Sequence, residues 1–480
     1  MLSLFGMMAM LSGCQKAEEE ASHSQYTEDA KHLVVITRND SSTYFIDENG
    51  APGGFEFELV TKYAKSIGKT VKWKLVNQVS EVVPLLKAGK ADMAALGISN
   101  RFATNANIPL GPIYKRVTPV VVYHRSNLKP IKKIKDLVGH DVKIEYGSGA
   151  ASDLEALSKN IPNLKWTLSD QDSPEELIEA VANQALDVTI ANEVLAKHMK
   201  RFYPDLEIGP SLGANEPVTW LFAEHREVLV QSANSFIVGA QKDGSVKRLM
   251  DRYYGHLDRL QPADVTKFLQ QRVEVLPKLR PFFHEAQKLT GIDWRLLAAV
   301  GYQESHWNPL AVSPAGVRGL MMLTEQTAAI MGVKNRTDAR QNILGGAKYI
   351  RRLVESLPLQ IVEPDRNWIA LAAYNTGLGH LEDARVLADR QKMNPDAWID
   401  LKGTLVQLRN PKWFTKVKHG YARGGETVIF VENIRTYYDI LSKFEQPLVE
   451  VFPPKMGIEL PASQGGHKST ITPNRLTAPT

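Results

Sequence analysis

Hydrophobic positions follow two regimes along the chain, one before and one after Gly255. In the first, short β-branched runs alternate with segments of helical spacing. Residues 33–37 read as a strand, 44–46 as a second short one, and Asn49-Gly50 supplies hairpin turn chemistry. Phe55, Leu59, Tyr63 and Ile67 share a helical face that stops at Gly68. A strand at 71–75 follows, then a helix through Leu86 that Ser80 is placed to cap and Gly89 to end, then a strand at 93–96. The unit repeats as strand 117–123, short helix 132–137, strand 142–145, helix 151–158, a Ser173-capped helix over 175–185 and a strand at 188–190. This alternation predicts an α/β module over 30–258 with parallel sheets, whose ligands would sit at the carboxyl ends of strands.

In the second regime helical spacing takes over, which predicts a mainly α domain over 259–453. Asp264 or Thr266 is placed to cap its first helix, and Pro277 interrupts it. The next runs through Phe283 and Ala286 to Thr290-Gly291. Asp293 caps a helix with Leu296, Leu297 and Val300 on one side, ending at Glu304-Ser305 before Asn308-Pro309. Residues 454–480 are rich in Pro, Ser, Thr and Gly without periodicity and read as a disordered tail.

Composition adds limits. With 480 residues, 43% hydrophobic and 23% charged, the chain is ordinary globular material of more than one domain. Its 58 basic and 53 acidic residues leave a net charge of +5, mild enough to exclude a nucleic-acid footprint without a clustered basic stripe. One cysteine excludes an internal disulfide or a zinc-finger ligand set, and no metal or cofactor is called for. That cysteine, Cys14, ends the run Leu11-Ser12-Gly13-Cys14 behind a short apolar leader. The run resembles a bacterial lipobox, so 1–13 would be a lipoprotein signal peptide, Cys14 the lipidated residue and 14–29 a solvated tether. By the same resemblance Gln15 implies the periplasmic face of the outer membrane. No Lys or Arg precedes the apolar run.

Two candidate sites stand out. Gly54-Phe55-Glu56-Phe57-Glu58-Leu59, Leu85-Leu86-Lys87-Ala88-Gly89-Lys90-Ala91-Asp92 and Pro112-Ile113-Tyr114 resemble bacterial family-3 solute-binding domains. That resemblance implies two α/β lobes joined by crossing strands around a ligand cleft. Ser99 and Arg101 lie where the family grips a ligand carboxylate, which a planar guanidinium suits; the alternative is a surface charge. Gly147-Ser148-Gly149 opens a helix, so the N–H groups around Ser148 are placed for an anion. Asn192 stands where amine binders carry Asp, which counts against a simple free amino acid; a muropeptide or amino-acid-like ligand and a degenerate spacer both stay open.

The second site centres on Glu304. A carboxyl at a helix carboxyl end, flanked by rings such as Tyr302, Trp307 or Tyr374, is disfavoured as an anion and suits general acid chemistry. Glu304-Ser305-His306-Trp307-Asn308-Pro309, Gly319-Leu320-Met321-Met322, Ala373-Tyr374-Asn375-Thr376-Gly377 and Glu426-Thr427 resemble, in order, the soluble lytic transglycosylase domain, a goose-lysozyme-like fold. Together with the first module and the lipobox, they resemble lipid-anchored wall-cleaving enzymes. The resemblance implies cleavage of the β-1,4 bond between N-acetylmuramic acid and N-acetylglucosamine in peptidoglycan glycan strands, leaving 1,6-anhydro ends. It makes Glu304 the acid and then the base, with substrate contacts from Ser305, Met322, Tyr374, Asn375 and Glu426. Ser305 would bond the acetamido group or fix Glu304, and Tyr374 would orient Glu304. Met322 replaces a common Gln, and Phe430 a common Tyr. A solute receptor with a lysozyme-like wall anchor, and a hydrolytic muramidase, are the alternatives.

Overall fold

The computed structural model describes residues 31–448 apart from 41–42, 47–50, 127–128 and 257–259. The Asn49-Gly50 turn, Cys14 with its leader and tether, and the 454–480 tail lie outside the described residues. In chain order the first lobe holds β1 (His32–Thr37), β2 (Phe45–Ile46), β3 (Pro52–Gly53), α1 (Phe55–Ser66), β4 (Thr70–Leu75), α2 (Val82–Lys87), β5 (Met93–Ala94) and β6 (Leu110–Val117). The second holds β7 (Pro119–His124), β8 (Lys143–Glu145), α3 (Ala150–Ser158), β9 (Thr167–Ser169), α4 (Pro174–Ala182), β10 (Val188–Asn192), α5 (Glu193–Lys200) and β11 (Leu206–Ser211). The chain returns to the first lobe through β12 (Glu216–Phe222), α6 (Glu227–Lys242) and α7 (Ser245–Tyr254).

Parallel pairing is only part of these sheets. In the first lobe the order is β4-β1-β5-β12-β6, with β1 parallel to both neighbours but β12 antiparallel to β5 and β6. In the second lobe β7 lies between β10 and β11, antiparallel to both. The reason is connectivity: the chain crosses between lobes at Thr118 and returns after Ser211, so the returning strand runs against the βα units. The run expected as one strand over 117–123 is accordingly two, broken at Thr118. Ser80 is not a cap. It lies within a 3₁₀ turn, Val79–Glu81, that Gln78 and Glu81 close, and its hydroxyl bonds Asp170 of the other lobe at 2.7 Å.

The helical domain comprises α8 (Pro262–Glu274), α9 (Leu276–Thr290), α10 (Trp294–Ser305), α11 (Glu325–Ile330), α12 (Ala339–Ser356), α13 (Asp365–Thr376), α14 (Leu378–Arg390), α15 (Trp398–Gln407), α16 (Pro411–Phe414) and α17 (Gly424–Phe444). Its first helix starts one turn ahead of the expected caps Asp264 and Thr266, because Pro262 takes the first position, where its missing N–H costs nothing. Pro277 opens α9. Asp293 caps α10 as expected, accepting from the Arg295 N–H at 2.8 Å.

α17 joins this domain to the module. Arg435, 2% exposed, donates to the carbonyls of Asp251 and Arg252 at the end of α7, both at 2.9 Å. It also pairs with Glu432, which is fully buried and accepts from the Trp398 indole at 2.6 Å. Lys402 bonds Asp251 and approaches Glu432. Further along α17, Asp439 pairs with Arg201, just past the end of α5, at 2.8 Å and Lys443 with Glu179 of α4 at 2.6 Å. The helix therefore touches both lobes.

Candidate active site

Glu304 occupies the last turn of α10, a helix whose residues from Trp294 to Tyr302 are all buried. The chain leaves that helix through two left-handed residues, His306 (φ 51°) and Trp307 (φ 59°), so termination precedes the Asn308-Pro309 pair. Such residues cost energy in this region, and packing holds them there: the Trp307 indole is 2% exposed and donates to the Ala298 carbonyl at 2.8 Å. Tyr302 and Trp307 join Phe268 and Tyr437 in a knot with ring centroids 4.5–5.5 Å apart. Tyr302 stands two residues, about 200° of helix, from Glu304. Tyr374, one of the rings expected near the glutamate, lies close enough for the Glu304 carboxyl to help raise its phenol pKa, after burial.

Among the described residues none hydrogen-bonds or ion-pairs with the Glu304 carboxyl, and burial pushes its pKa up to about 8. No neighbouring charge contributes to that rise. The carboxyl is therefore mostly protonated at neutral pH, with a proton it can donate.

The opposing wall is the loop at 319–323, packed without room to spare. A Cβ at Gly301, three residues before Glu304, would lie 2.5 Å from Leu320 Cδ2, and one at Gly346 2.7 Å from Met321 Cβ. Three side chains pin the loop. Ser305 Oγ donates to the Leu320 carbonyl at 2.8 Å, Tyr374 Oη to the Met321 carbonyl at 2.6 Å, and Asn342 Oδ1 accepts from the Met321 N–H at 2.6 Å. Met322 is held at a positive φ of 47° beside Gly319. Ser305 thus ties α10 to the loop, and Tyr374 ties α13 to it at Met321. Asn375 accepts from Thr427 Oγ1 at 2.8 Å, joining α13 to α17. Glu426 does not enter this constellation: its side chain is 69% exposed and lies 3.6 Å from Arg423. Asn342 and Gly301 were not singled out from sequence, since each acts through a partner about 20 residues away.

The solute cleft lies between the lobes, around a cavity of about 50 Å³ whose walls include Arg38, Ser99, Glu145, Ser148, Asn192 and Glu216. Its charges are already paired. Arg38 bonds Glu145 across the cleft, and Arg101 bonds Asp153 at 2.8 Å and Glu216 at 2.7 Å. Ser99 accepts from the Arg101 N–H, and Ser148 donates to the Glu145 carbonyl. The anion position near Ser148 is filled from within, for a Cβ on Gly149 would lie 2.1 Å from Glu216 Oε1. Asn192 caps α5, accepting from Leu195 N–H at 2.8 Å. Arg38 follows β1, where the strand-end rule could have found it; Glu216 arrives from a strand more than 100 residues on. No group of residues fit to hold a metal occurs among the described residues, and none of their helices is long and apolar enough to cross a membrane.

Comparison with known proteins bears on both sites. Residues 33–256 match the family described as bacterial extracellular solute-binding proteins, family 3, and residues 281–396 the transglycosylase SLT domain. Among solved structures, an ancestral arginine-binding protein bound to arginine aligns with a TM-score of 0.42 and 21% identity, over 46% of this chain and 98% of its own. Membrane-bound lytic murein transglycosylase F of Nitrosospira multiformis is 41% identical over 94% of each chain. Its counterpart in Methylobacillus flagellatus is 40% identical over 94% of this chain and 96% of its own. With both domains present and identity at this level along nearly the whole length, the chain belongs to the membrane-bound lytic murein transglycosylase F family and is a peptidoglycan lytic transglycosylase carrying a solute-binding module.

Proposed function

We propose that Glu304 carries both proton transfers of a non-hydrolytic cleavage. Its proton goes to the glycosidic oxygen as the bond from the muramic acid anomeric carbon breaks, with the substrate acetamido group assisting departure. The carboxylate then takes the proton of the same sugar's 6-hydroxyl as that oxygen bonds the anomeric carbon. Water is not consumed and a 1,6-anhydro ring closes. The single observation behind this reading is a carboxyl raised to about 8 by burial alone. An ordinary glycosidase needs a second carboxylate about 5–9.5 Å away, and no neighbouring carboxylate is among the causes that raise Glu304. Purified walls digested to completion are expected to give fragments ending in anhydromuramic acid; fragments one water heavier establish hydrolysis instead.

The enzyme is further proposed to be lipid-anchored through Cys14 on the periplasmic face of the outer membrane, with 30–258 as a regulatory module and 259–453 as the catalytic domain. The module takes an amino-acid-like or muropeptide ligand whose ammonium and carboxylate groups exchange with the Arg101–Glu216 and Arg38–Glu145 pairs. Soluble wall fragments are expected to change the wild-type digestion rate and to leave that of Arg101→Ala unmoved. A wild-type rate indifferent to them overturns the regulatory reading.

A further inference from the structure

Residues 409–425 contain Arg409, Lys412, Lys416, Lys418, His419 and Arg423 and no acidic residue. The five Lys and Arg side chains are exposed. Of them only Arg423 has a carboxylate within ion-pair reach among the described residues, the exposed Glu426. The charges are arranged around aromatic surface. The ammoniums of Lys412 and Lys416 each lie 5.4 Å from the Trp413 ring centroid, and Tyr421, 56% exposed, meets Phe414 edge-on at 5.8 Å.

This segment is held firmly and at a particular place. Asp383, 2% exposed, accepts the N–H groups of Lys418, His419 and Gly420 at 3.1, 2.8 and 3.0 Å. Arg390 donates to the Lys416 carbonyl at 2.7 Å. The pinned stretch abuts the start of α14, where a Cβ on Gly379 would lie 2.8 Å from the His419 ring. Its exit leads to Thr427, which bonds Asn375 next to Tyr374. A concentration of like charge destabilises the fold by self-repulsion and favours an anionic partner. Exposed lysines on flexible stems suit carboxylates whose positions vary, where a forked guanidinium would demand a fixed plane.

We propose that this loop is a recognition surface for the carboxylate-bearing peptide stems of murein, engaging them while the glycan lies at Glu304. The proposal rests on the reading of Glu304 given above. Attachment to α14, which follows directly on the helix that carries Tyr374 and Asn375, favours the wall polymer over an anionic membrane, since a membrane contact has no need of that site.

The test compares soluble glycan strands with their stems intact and strands stripped of stems by an amidase, using the full chain. Lys412→Glu/Lys416→Glu/Lys418→Glu is expected to raise KM about tenfold on stem-bearing strands and less than twofold on stripped ones, with kcat held within twofold. Lys→Gln at the same positions should give about a threefold rise, and added salt should erase the difference in wild type. Wild-type KM values on both substrates overturn the proposal, as does an equal loss on both. Lost binding to vesicles containing anionic phospholipid, with KM unchanged, assigns the loop to the membrane and overturns it too. Glu304→Gln measured in parallel separates the two readings: retained digestion there refutes the acid, whatever the loop does.

Discussion

Glu304→Gln is expected to slow wall digestion on the order of 10³-fold while making the protein more resistant to heat above neutral pH. The two effects have one cause. In the folded chain the carboxyl holds its proton to about pH 8, against a usual value near 4.5. Between those values the folded state binds a proton that the unfolded state has released, so stability falls as pH rises through that window. Glutamine keeps the shape and carries no such proton. Melting temperatures of the two proteins should therefore be close at pH 5 and separate in favour of Glu304→Gln by pH 9. A variant less stable than wild type at pH 9 contradicts a carboxyl kept neutral by burial. Wild-type digestion should fall about tenfold per pH unit beyond 8, as the donor proton is lost.

Arg435→Met is expected to have the largest effect on stability, a loss of about 3 kcal/mol or more. The substitution leaves Glu432, fully buried, and Asp251, 9% exposed, with Lys402 as their remaining cation, and frees two carbonyls at the end of α7. Urea unfolding should show an earlier midpoint, and a second transition if the two domains come apart. An unchanged midpoint refutes the view that this junction is held by charge. The pH dependence of the same junction runs opposite to that of Glu304. Burial pushes His256 down to about 4 and His198 to about 3, so both are neutral in the folded protein. Their contribution is present above about 6.5 and is lost as pH falls through the window below it. Glu432 and Asp439, both held below the usual carboxylate range despite burial by the cations around them, act in the same direction at lower pH. Acid loosens the contact between the domains, and alkali weakens the site.

What could be read from the sequence was mostly local. The helix Phe55–Ser66 is given by four apolar positions and a glycine at φ +72°, and the caps Ser173 and Asp293 by hydroxyl or carboxylate one residue before a helix. β6 could not be found the same way. Its burial follows no period of two, because it pairs irregularly with β12, a strand about 100 residues later. A comparable distance hid Glu216 from the cleft, and a gap of about 20 residues hid Asn342 from the loop at Met321. At Glu304 the motif residues were legible as letters, but the work of several was not. Ser305 and Tyr374 spend their hydroxyl protons on carbonyls of a loop whose path the sequence does not disclose.

The segment 281–396, matched on its own, stops before α17 begins. A gene trimmed to that match would omit Thr427, the partner of Asn375, and Tyr437, which closes the ring knot behind Glu304. Keeping α17 while discarding the first module would instead bare a guanidinium and a salt-bridged carboxylate that evolved facing another surface. The smallest piece worth expressing as an independent enzyme therefore starts no later than α7.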